Sequence, residues 1–110
     1  MATSNQDAAL DLVFMALADA TRRDIVRRLS EREHTVGELA SHFEMSLAAV
    51  SKHIKVLEHA KIVSRRVVGR THHLTLAPHE LTIALDWISI YRNFWRQRLD
   101  ALGAAIEKPE

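Results

Sequence analysis

Six basic side chains lie in the middle of the sequence, within the stretch from residue 46 to residue 73. They are Lys52, Lys55, Lys61, Arg65, Arg66 and Arg70, against one acid, Glu58, so the stretch carries a net charge of +5. The whole chain of 110 residues has a formal charge of only +1, so the positive charge is concentrated here. Lysine and arginine bind phosphate oxygens through charge-assisted hydrogen bonds. A local basic patch of this kind is the electrostatic footprint of a nucleic-acid partner.

Residues for covalent or metal chemistry form no comparable set. The sequence contains no cysteine, which excludes disulfides, thiolate metal sites and cysteine nucleophiles. It shows no nucleophile motif, glycine-rich phosphate loop or His-Glu metal spacing, so we expect no enzyme. His79 and Asp86 are candidate ligands, but about two helical turns separate them, too many for a chelate within one helix. A metal site completed across a dimer is the alternative, and we expect no metal or other cofactor.

The size of the chain and its amino terminus indicate where the protein works. A chain of 110 residues has room for one domain, which we expect to span residues 1–110 with flexible ends at 1–6 and 107–110. We find no signal-peptide pattern in Met1–Gln6 and no apolar run of about 18 residues anywhere. With the absence of cysteine, these features predict a cytoplasmic protein that does not enter a membrane.

The first half of the chain reads as three helices. Only three glycines and two prolines occur in the sequence, which predicts a mainly helical fold. Apolar residues at helical spacing predict helices at about 7–18 and 20–32. Thr35 and Glu38 match a capping box and predict a short third helix that ends near Phe43.

The second half reads as a helix, a hairpin and a final helix. Ser46 is the expected N-cap of a fourth helix that runs to about Ala60. A two-stranded hairpin is expected over 62–76, with its turn at Gly69, and Pro78 starts one long helix that continues to about residue 106. Two short helices across a three-residue break, followed by a basic hairpin, are the order of elements in a winged helix-turn-helix.

The fourth helix has a face suited to the major groove of DNA. Its predicted buried stripe contains Leu47, Val50, Ile54 and Leu57. The opposite side carries Ala48, Lys52, Lys55 and His59, with Ala49 and Ser51 on the flanks. The alanines allow close approach to base edges and thymine methyl groups, whereas Ser51 and Lys52 can hydrogen-bond to bases or phosphates. The bland alternative is an ordinary surface helix with two lysines.

Arginines elsewhere extend the basic surface. Arg65, Arg66 and Arg70 lie on or beside the glycine tip of the hairpin, where they can bind phosphates or enter the minor groove. Plain solubility of a turn is the other interpretation. Arg22 and Arg23 on the second helix belong either to a solvated face or to a further phosphate contact.

The last helix carries more apolar surface than a small domain needs. Four of the six aromatic residues, Trp87, Tyr91, Phe94 and Trp95, occur within three turns of one another. We therefore expect a homodimer with an interface between the first and last helices. The predicted interface residues are Leu10, Val13, Phe14, Leu17, Ile88, Tyr91, Trp95, Leu99 and Leu102. Packing on the chain's own core and a ligand pocket lined by these aromatics are the alternatives.

Four segments of the sequence closely resemble the arsenical-repressor (ArsR) family of bacterial transcription regulators. They are LADATRRDI from Leu17, TVGELA from Thr35, MSLAAVSKHIKVL from Met45 and VSRRVVGR from Val63. The third segment, followed by the hairpin, is specific to this family among helix-turn-helix proteins. The resemblance covers most of residues 10–106.

This resemblance implies a homodimeric winged helix-turn-helix repressor that binds an inverted-repeat operator and is released by a ligand or metal. It places Ser46, Ala48, Ser51, Lys52 and His53 in the recognition helix. The family's metal sensors use cysteines or an Asp/His set on the terminal helices, and neither is recognisable here. The expected partners are double-stranded DNA, a second copy of the chain and an effector of unknown identity. The rival interpretation is a helical adaptor whose basic patch docks on an acidic protein.

Overall fold

The computed structural model describes residues 5–107, except for the side chains of residues 105–107, and the fold is a winged helix. The elements in chain order are α1 (Asn5–Leu17), α2 (Ala20–Glu31), β1 (His34–Thr35), α3 (Val36–Ala40), α4 (Leu47–His59), β2 (Val63–Val68), β3 (Thr71–Leu76) and α5 (Pro78–Glu107). The mainly helical fold with a small wing is the predicted one. Residues 1–4 and 108–110 of the ends expected to be flexible lie outside the described part, whereas residues 5, 6 and 107 belong to helices.

Side-chain caps fix the starts of three helices. The Asp19 carboxylate accepts a hydrogen bond from the Arg22 amide at 3.0 Å and caps α2. The predicted capping box is present at α3, where Thr35 Oγ1 accepts from the Glu38 amide and Glu38 Oε1 accepts from the Thr35 amide. Ser46 Oγ accepts from the Ala49 amide at 3.1 Å and caps α4. Each cap satisfies a backbone N–H that the first helical turn leaves without a partner.

The wing is a three-stranded sheet rather than the two-stranded hairpin that the sequence predicted. Its strand order is β1-β3-β2, and both neighbouring pairs are antiparallel. The extra strand is short, and in it His34 pairs with Leu74. Gly69 has a φ of 62° at the turn between β2 and β3, a conformation that glycine adopts without steric cost. Strand β1 ties the base of the wing to the helical body.

One hydrophobic core joins the helices to the base of the wing. Its buried members are Leu10, Val13, Ala16, Ile25, Leu29, Leu39, Val50, Ile54, Leu57, Ala60, Ile62, Val63, Leu74 and Ala84. The sequence predicted Leu10 and Val13 in the dimer interface. The structure corrects this prediction, because both side chains are buried in the core of the protomer itself. None of the helices within residues 5–107 has the length and apolar composition needed to cross a membrane.

Candidate nucleic-acid interface

Helix α4 presents to solvent the side that the sequence predicted. Ala48, Lys52 and Lys55 are exposed, and Ala49 and Ser51 are half-buried beside them. Within the described part of the chain, neither lysine forms an ion pair with a carboxylate. The ammonium groups of both lysines therefore remain available to a phosphate or a base edge. The opposite side of the helix is fixed, because Val50, Ile54 and Leu57 are fully buried.

Leu47 lies on the exposed side and not in the buried stripe where the helical spacing predicted it. Its side chain is 60% exposed, so it contributes little to the core. Leu47 lines a groove of about 350 Å³ together with Arg70 and Thr71 of the wing. This apolar side chain at the start of α4 is a candidate contact to a thymine methyl group that the sequence analysis missed.

His53 is half-buried and belongs to a network that connects three helices. Arg22 donates hydrogen bonds to the carbonyl oxygens of Ala16 at 2.6 Å and Met15 at 3.1 Å, at the end of α1. Its Nη1 lies 3.2 Å from His53 Nδ1, which must be the acceptor because a guanidinium can only donate. The Asp19 carboxylate lies 3.8 Å from the same ring nitrogen. His53 is thus tied to the helical body through Nδ1.

Arg22 and Arg23 both cap the end of α1. Arg23 Nη1 donates to the carbonyl oxygen of Leu17 at 2.8 Å, beside the two bonds from Arg22. These last carbonyls of a helix have no partner within the helix, and cationic side chains also interact favourably with the negative end of its dipole. The structure therefore gives these two arginines a structural role rather than a phosphate contact.

Arg65 is held against the body of the protein. Its guanidinium donates to both carboxylate oxygens of Glu58 on α4, at 2.7 and 3.2 Å, and its Nη1 lies 2.9 Å from His72 Nδ1. The hydrogen bonds to Glu58 raise the pKa of Arg65 above its ordinary value. A bidentate, partly buried pair of this kind is one of the stronger ion-pair geometries. Arg65 therefore orients the wing on α4 in the free protein.

The other two wing arginines are more accessible. Arg66 Nη2 lies 3.3 Å from Glu33 Oε1, and the Arg66 side chain is 65% exposed. His73, the cross-strand neighbour of Arg66, lies 3.4 Å from the same carboxylate. Arg70 follows Gly69 at the tip, is exposed, and has no ion-pair partner among residues 5–107. Val67 and Val68 are also exposed at the tip, so the wing presents both apolar and cationic side chains.

The structure brings no metal-binding cluster together in the part of the chain that it describes. His79 is largely exposed, and its Nε2 lies 4.0 Å from Glu80 at the start of α5. Asp86 is also exposed, farther along the same helix. Among the described residues, no third candidate ligand joins His79 and Asp86 to form a metal site.

Much of the apolar surface of α5 is exposed in the described part of the chain. Phe14 on α1 packs edge-on against Trp87 with ring centroids 5.9 Å apart, and Trp87 also contacts Tyr91. Beyond this contact the predicted interface residues of the helix are exposed. They are Ile88, Tyr91, Trp95, Leu99 and Leu102, with Phe14 exposed and Leu17 half-buried on α1.

The arrangement is that of a winged helix-turn-helix. Helices α3 and α4 form the helix-turn-helix, and the basic wing follows α4. The profile of a family described as "Helix-turn-helix domain" matches residues 17–66, which run from the end of α1 into β2. The chain belongs to the ArsR family of winged helix-turn-helix transcriptional regulators. It is a DNA-binding transcriptional regulator.

Two curated relatives and one solved structure support this assignment. The chain is 37% identical over 97 residues to the HTH-type transcriptional regulator Rv2034 of Mycobacterium tuberculosis, covering 88% of each protein. It is 31% identical over 81 residues to the transcriptional repressor SdpR of Bacillus subtilis, covering 74% of this chain and 90% of SdpR. The crystal structure of the ArsR family regulator RHA00566 superposes with a TM-score of 0.75 at 33% identity, covering 87% of this chain and 97% of that one.

Proposed function

We propose that the protein is a single-domain, homodimeric transcriptional repressor that binds an inverted-repeat operator in the cytoplasm and has no enzymatic activity. In this proposal α4 reads bases in the major groove and the wing grips the DNA backbone. The name of the B. subtilis relative, a transcriptional repressor, is the support for repression.

The exposed side of α4 is the observation that carries the proposal. Ala48 and Ala49 are small enough for the backbone of the helix to approach base edges closely. Ser51, Lys52 and Lys55 supply hydrogen-bond donors next to them, and the lysines are not neutralised by acids in the described structure. Ser46 lies at the N-terminus of the helix, where backbone amides favour a phosphate. A surface helix without a partner does not need small side chains, unpaired lysines and a capped N-terminus together on its exposed side.

The charge and the position of the wing suit it to bind the DNA backbone, whereas α4 is suited to read bases. Arg66 on β2 and Arg70 in the turn at the tip are both exposed, and their guanidinium groups fit phosphates or a narrow minor groove. Arg65 supports them by fixing the wing on α4 through Glu58. His53 likewise supports α4 from within, because its Nδ1 is engaged by Arg22. Contacts of the wing would therefore add affinity for any duplex and little preference for sequence.

The exposed face of α5 supports the homodimer. Five large side chains, Ile88, Tyr91, Trp95, Leu99 and Leu102, are exposed along about four turns of the helix. Phe14 and Leu17 of α1 complete the proposed interface, whereas Leu10 and Val13 contribute to it only by supporting α1 from the core. A dimer presents two α4 helices related by a two-fold axis, so the half-sites should be inverted and about one helical turn, or a small multiple of it, apart.

DNA is a better partner for the basic patch than the acidic protein of the adaptor interpretation. Membership of a family of transcriptional regulators supports this choice. The aromatic residues of α5 do not line the larger described cavity, which takes only Glu80 and Ile83 from this helix. We propose no metal cofactor, and we expect any effector to be a small molecule.

Selection of bound sequences from random duplexes, followed by footprinting and titration at several salt concentrations, tests this function. We expect an enriched inverted repeat and an affinity that falls steeply with salt, because each phosphate contact releases condensed counterions. Equal affinity for selected and scrambled duplexes would contradict operator binding. Binding to an acidic protein, with no binding to any duplex, would favour the adaptor.

A further inference from the structure

A cavity of about 480 Å³ lies between the N-terminal half of α1, the end of α4 and the first turns of α5. Its walls are apolar and formed by Ala8, Ala9, Leu12, Ala60 and Ile83. Its polar lining residues are Asn5, Gln6, His59, Lys61 and Glu80. The volume is within the range of sites for small ligands, and such sites combine apolar side chains with polar groups that orient the ligand.

Lys61 adopts a backbone conformation that its residue type disfavours. Within residues 5–107 it is the one residue other than glycine with a positive φ, at 61°. Its amide donates to the carbonyl oxygen of Glu58 and the Ile62 amide donates to that of Leu57, which is the Schellman pattern that ends α4. Glycine is the usual residue at this position because it has no Cβ. Backbone strain at the edge of a cavity is characteristic of functional sites.

Two charged lining residues, Lys61 and Glu80, define the chemistry of a ligand. Lys61 is exposed and, among the described residues, has no carboxylate partner, whereas the Glu80 side chain is only 13% exposed and lies 4.0 Å from His79. A ligand with one anionic and one cationic group pairs both of these charges, while a singly charged ligand leaves one without a partner. The side-chain amides of Asn5 and Gln6 both donate and accept, as a peptide group requires.

We propose that this cavity binds a small zwitterion of dipeptide size, with its carboxylate at Lys61, its ammonium group at Glu80 and its aliphatic body against the alanines. The proposal rests on the proposed function as a DNA-binding repressor, of which it would be the regulation. The cavity walls include the last turn of α4 and parts of both helices of the proposed dimer interface. A carboxylate bound at Lys61 also neutralises one cation of the basic stretch. Ligand binding should therefore weaken binding to the operator.

The direct test is calorimetric titration of the full chain with the dipeptide alanyl-leucine. N-acetyl-alanyl-leucine lacks the ammonium group, and alanyl-leucine amide lacks the carboxylate, so these two probes test each end separately. We expect one site per chain for the free dipeptide and at least tenfold weaker binding of both blocked forms. No binding of the free dipeptide at millimolar concentration, or equal binding of all three, would overturn the proposal.

Two variants locate the site without disturbing the fold. Lys61→Gly removes the side chain and relieves the strained backbone, so the melting temperature should rise while dipeptide affinity falls at least tenfold. Ala8→Phe fills the cavity from an exposed position and should abolish binding, whereas Ala20→Phe, an exposed alanine on α2 outside the cavity, should not. Unchanged dipeptide binding by Lys61→Gly or Ala8→Phe would place any site elsewhere.

Titration of the selected operator with and without alanyl-leucine tests the regulation. We expect the dipeptide to weaken operator binding at least fivefold, and to have no effect on the Lys61→Gly variant. An unchanged operator affinity in a protein that binds the dipeptide would overturn the regulatory link. Failure of every duplex to bind in the absence of dipeptide would instead contradict the DNA-binding function, while the calorimetry still reports on the cavity.

Discussion

Two of the three wing arginines already have acidic partners before DNA arrives. Arg65 pairs with Glu58 through two hydrogen bonds, and Arg66 shares Glu33 with His73. Only the Arg66 pair is largely exposed, and exposed ion pairs contribute little to stability. A DNA phosphate can therefore replace Glu33 as the partner of Arg66 at small cost, whereas Arg65 keeps its place on α4.

This difference predicts that Glu33 weakens DNA binding. Replacement of Glu33 by glutamine frees Arg66 and removes a negative charge near the wing, so affinity should rise for every duplex. The expected gain is about two- to fivefold, the range of an exposed ion pair. Titrations of a selected and a scrambled duplex measure it.

The matched control is Glu31→Gln, which makes the same change of charge on an exposed residue of α2 that has no ion pair in the described structure. A gain of the same size in both variants would show that overall charge, and not the release of Arg66, is responsible. A gain limited to one sequence would mean that Arg66 contacts a base.

At the scale of elements, the caps position the helices that present the DNA-binding side chains. Asp19 begins α2 and lies next to the Arg22 and His53 contact that connects α1, α2 and α4. The hydrogen bond from the Arg22 amide lowers the pKa of Asp19 below its ordinary value. Ser46 fixes the start of α4 in the same way. These short-range contacts set the angle at which α4 leaves the body.

The lowered pKa of Asp19 gives stability a defined pH dependence. Because the folded pKa lies below the unfolded one, the contribution is complete above the unfolded value and disappears as pH falls through the folded value. Asp19→Ala should lower the free energy of unfolding near pH 7 by about 1 kcal/mol, the usual effect of an N-cap. Its deficit should shrink as the pH falls below the ordinary aspartate value of about 3.9 toward the lowered folded value.

Asp19→Asn is the control, because asparagine caps a helix about as well as aspartate but does not titrate. Urea unfolding near pH 7 and pH 3 compares the three proteins. Asp19→Asn should be close to wild type at neutral pH and lose less stability on acidification. A deficit for Asp19→Ala that persists unchanged in acid would mean that the carboxylate charge contributes nothing.

Short-range sequence signals predicted most elements. The differences between the predicted and the observed fold come mainly from long-range pairing. The capping residues and apolar spacing predicted α2, α3 and α4, because those interactions span three or four residues. Strand β1 was missed because His34 pairs with Leu74, far along the chain, and a two-residue strand has no periodicity. Leu47 was assigned to the core because helical spacing does not show which residues of a first turn are covered.

The candidate site was predicted in its residue types but not in its pairing. The outward face of α4 followed from the helical wheel, and Lys52 and Lys55 are exposed as expected. The partner of Arg66 lies 33 positions away, which no local pattern indicates. Apolar spacing likewise could not separate Val13, which packs in the core, from the exposed side chains of α5, since both produce the same periodicity.

The shape of the whole molecule bears on the proposed dimer. The described chain measures 70 × 38 × 22 Å, and α5 contributes 30 residues to its length. A compact domain of this size is rounder, because every helix packs on one core. The extended shape and the exposed apolar side chains of the distal half of α5 support the proposal that a second copy packs there.

A double substitution tests the proposed dimer. Ile88→Glu together with Trp95→Glu places two charges on the exposed apolar face of α5, so the protein should sediment as a monomer and bind the operator more weakly. Asn93→Glu places one charge on the other side of the helix and should remain dimeric. The interface lies elsewhere if the double variant sediments like the parent protein.

The central claim is that α4 reads the bases while the wing binds the DNA backbone. Binding titrations of Lys52→Ala and Arg70→Ala test this claim most directly. Each variant is titrated with the selected operator, a scrambled duplex and operators carrying single base changes, at several salt concentrations. Lys52→Ala should lose about 1–3 kcal/mol on the operator and relax the preference at one position per half-site. Arg70→Ala should weaken all duplexes alike and lower the salt slope by about one for each phosphate that the variant no longer neutralises. An unchanged sequence preference in Lys52→Ala, or a changed one in Arg70→Ala, would contradict the assignment of base reading to α4.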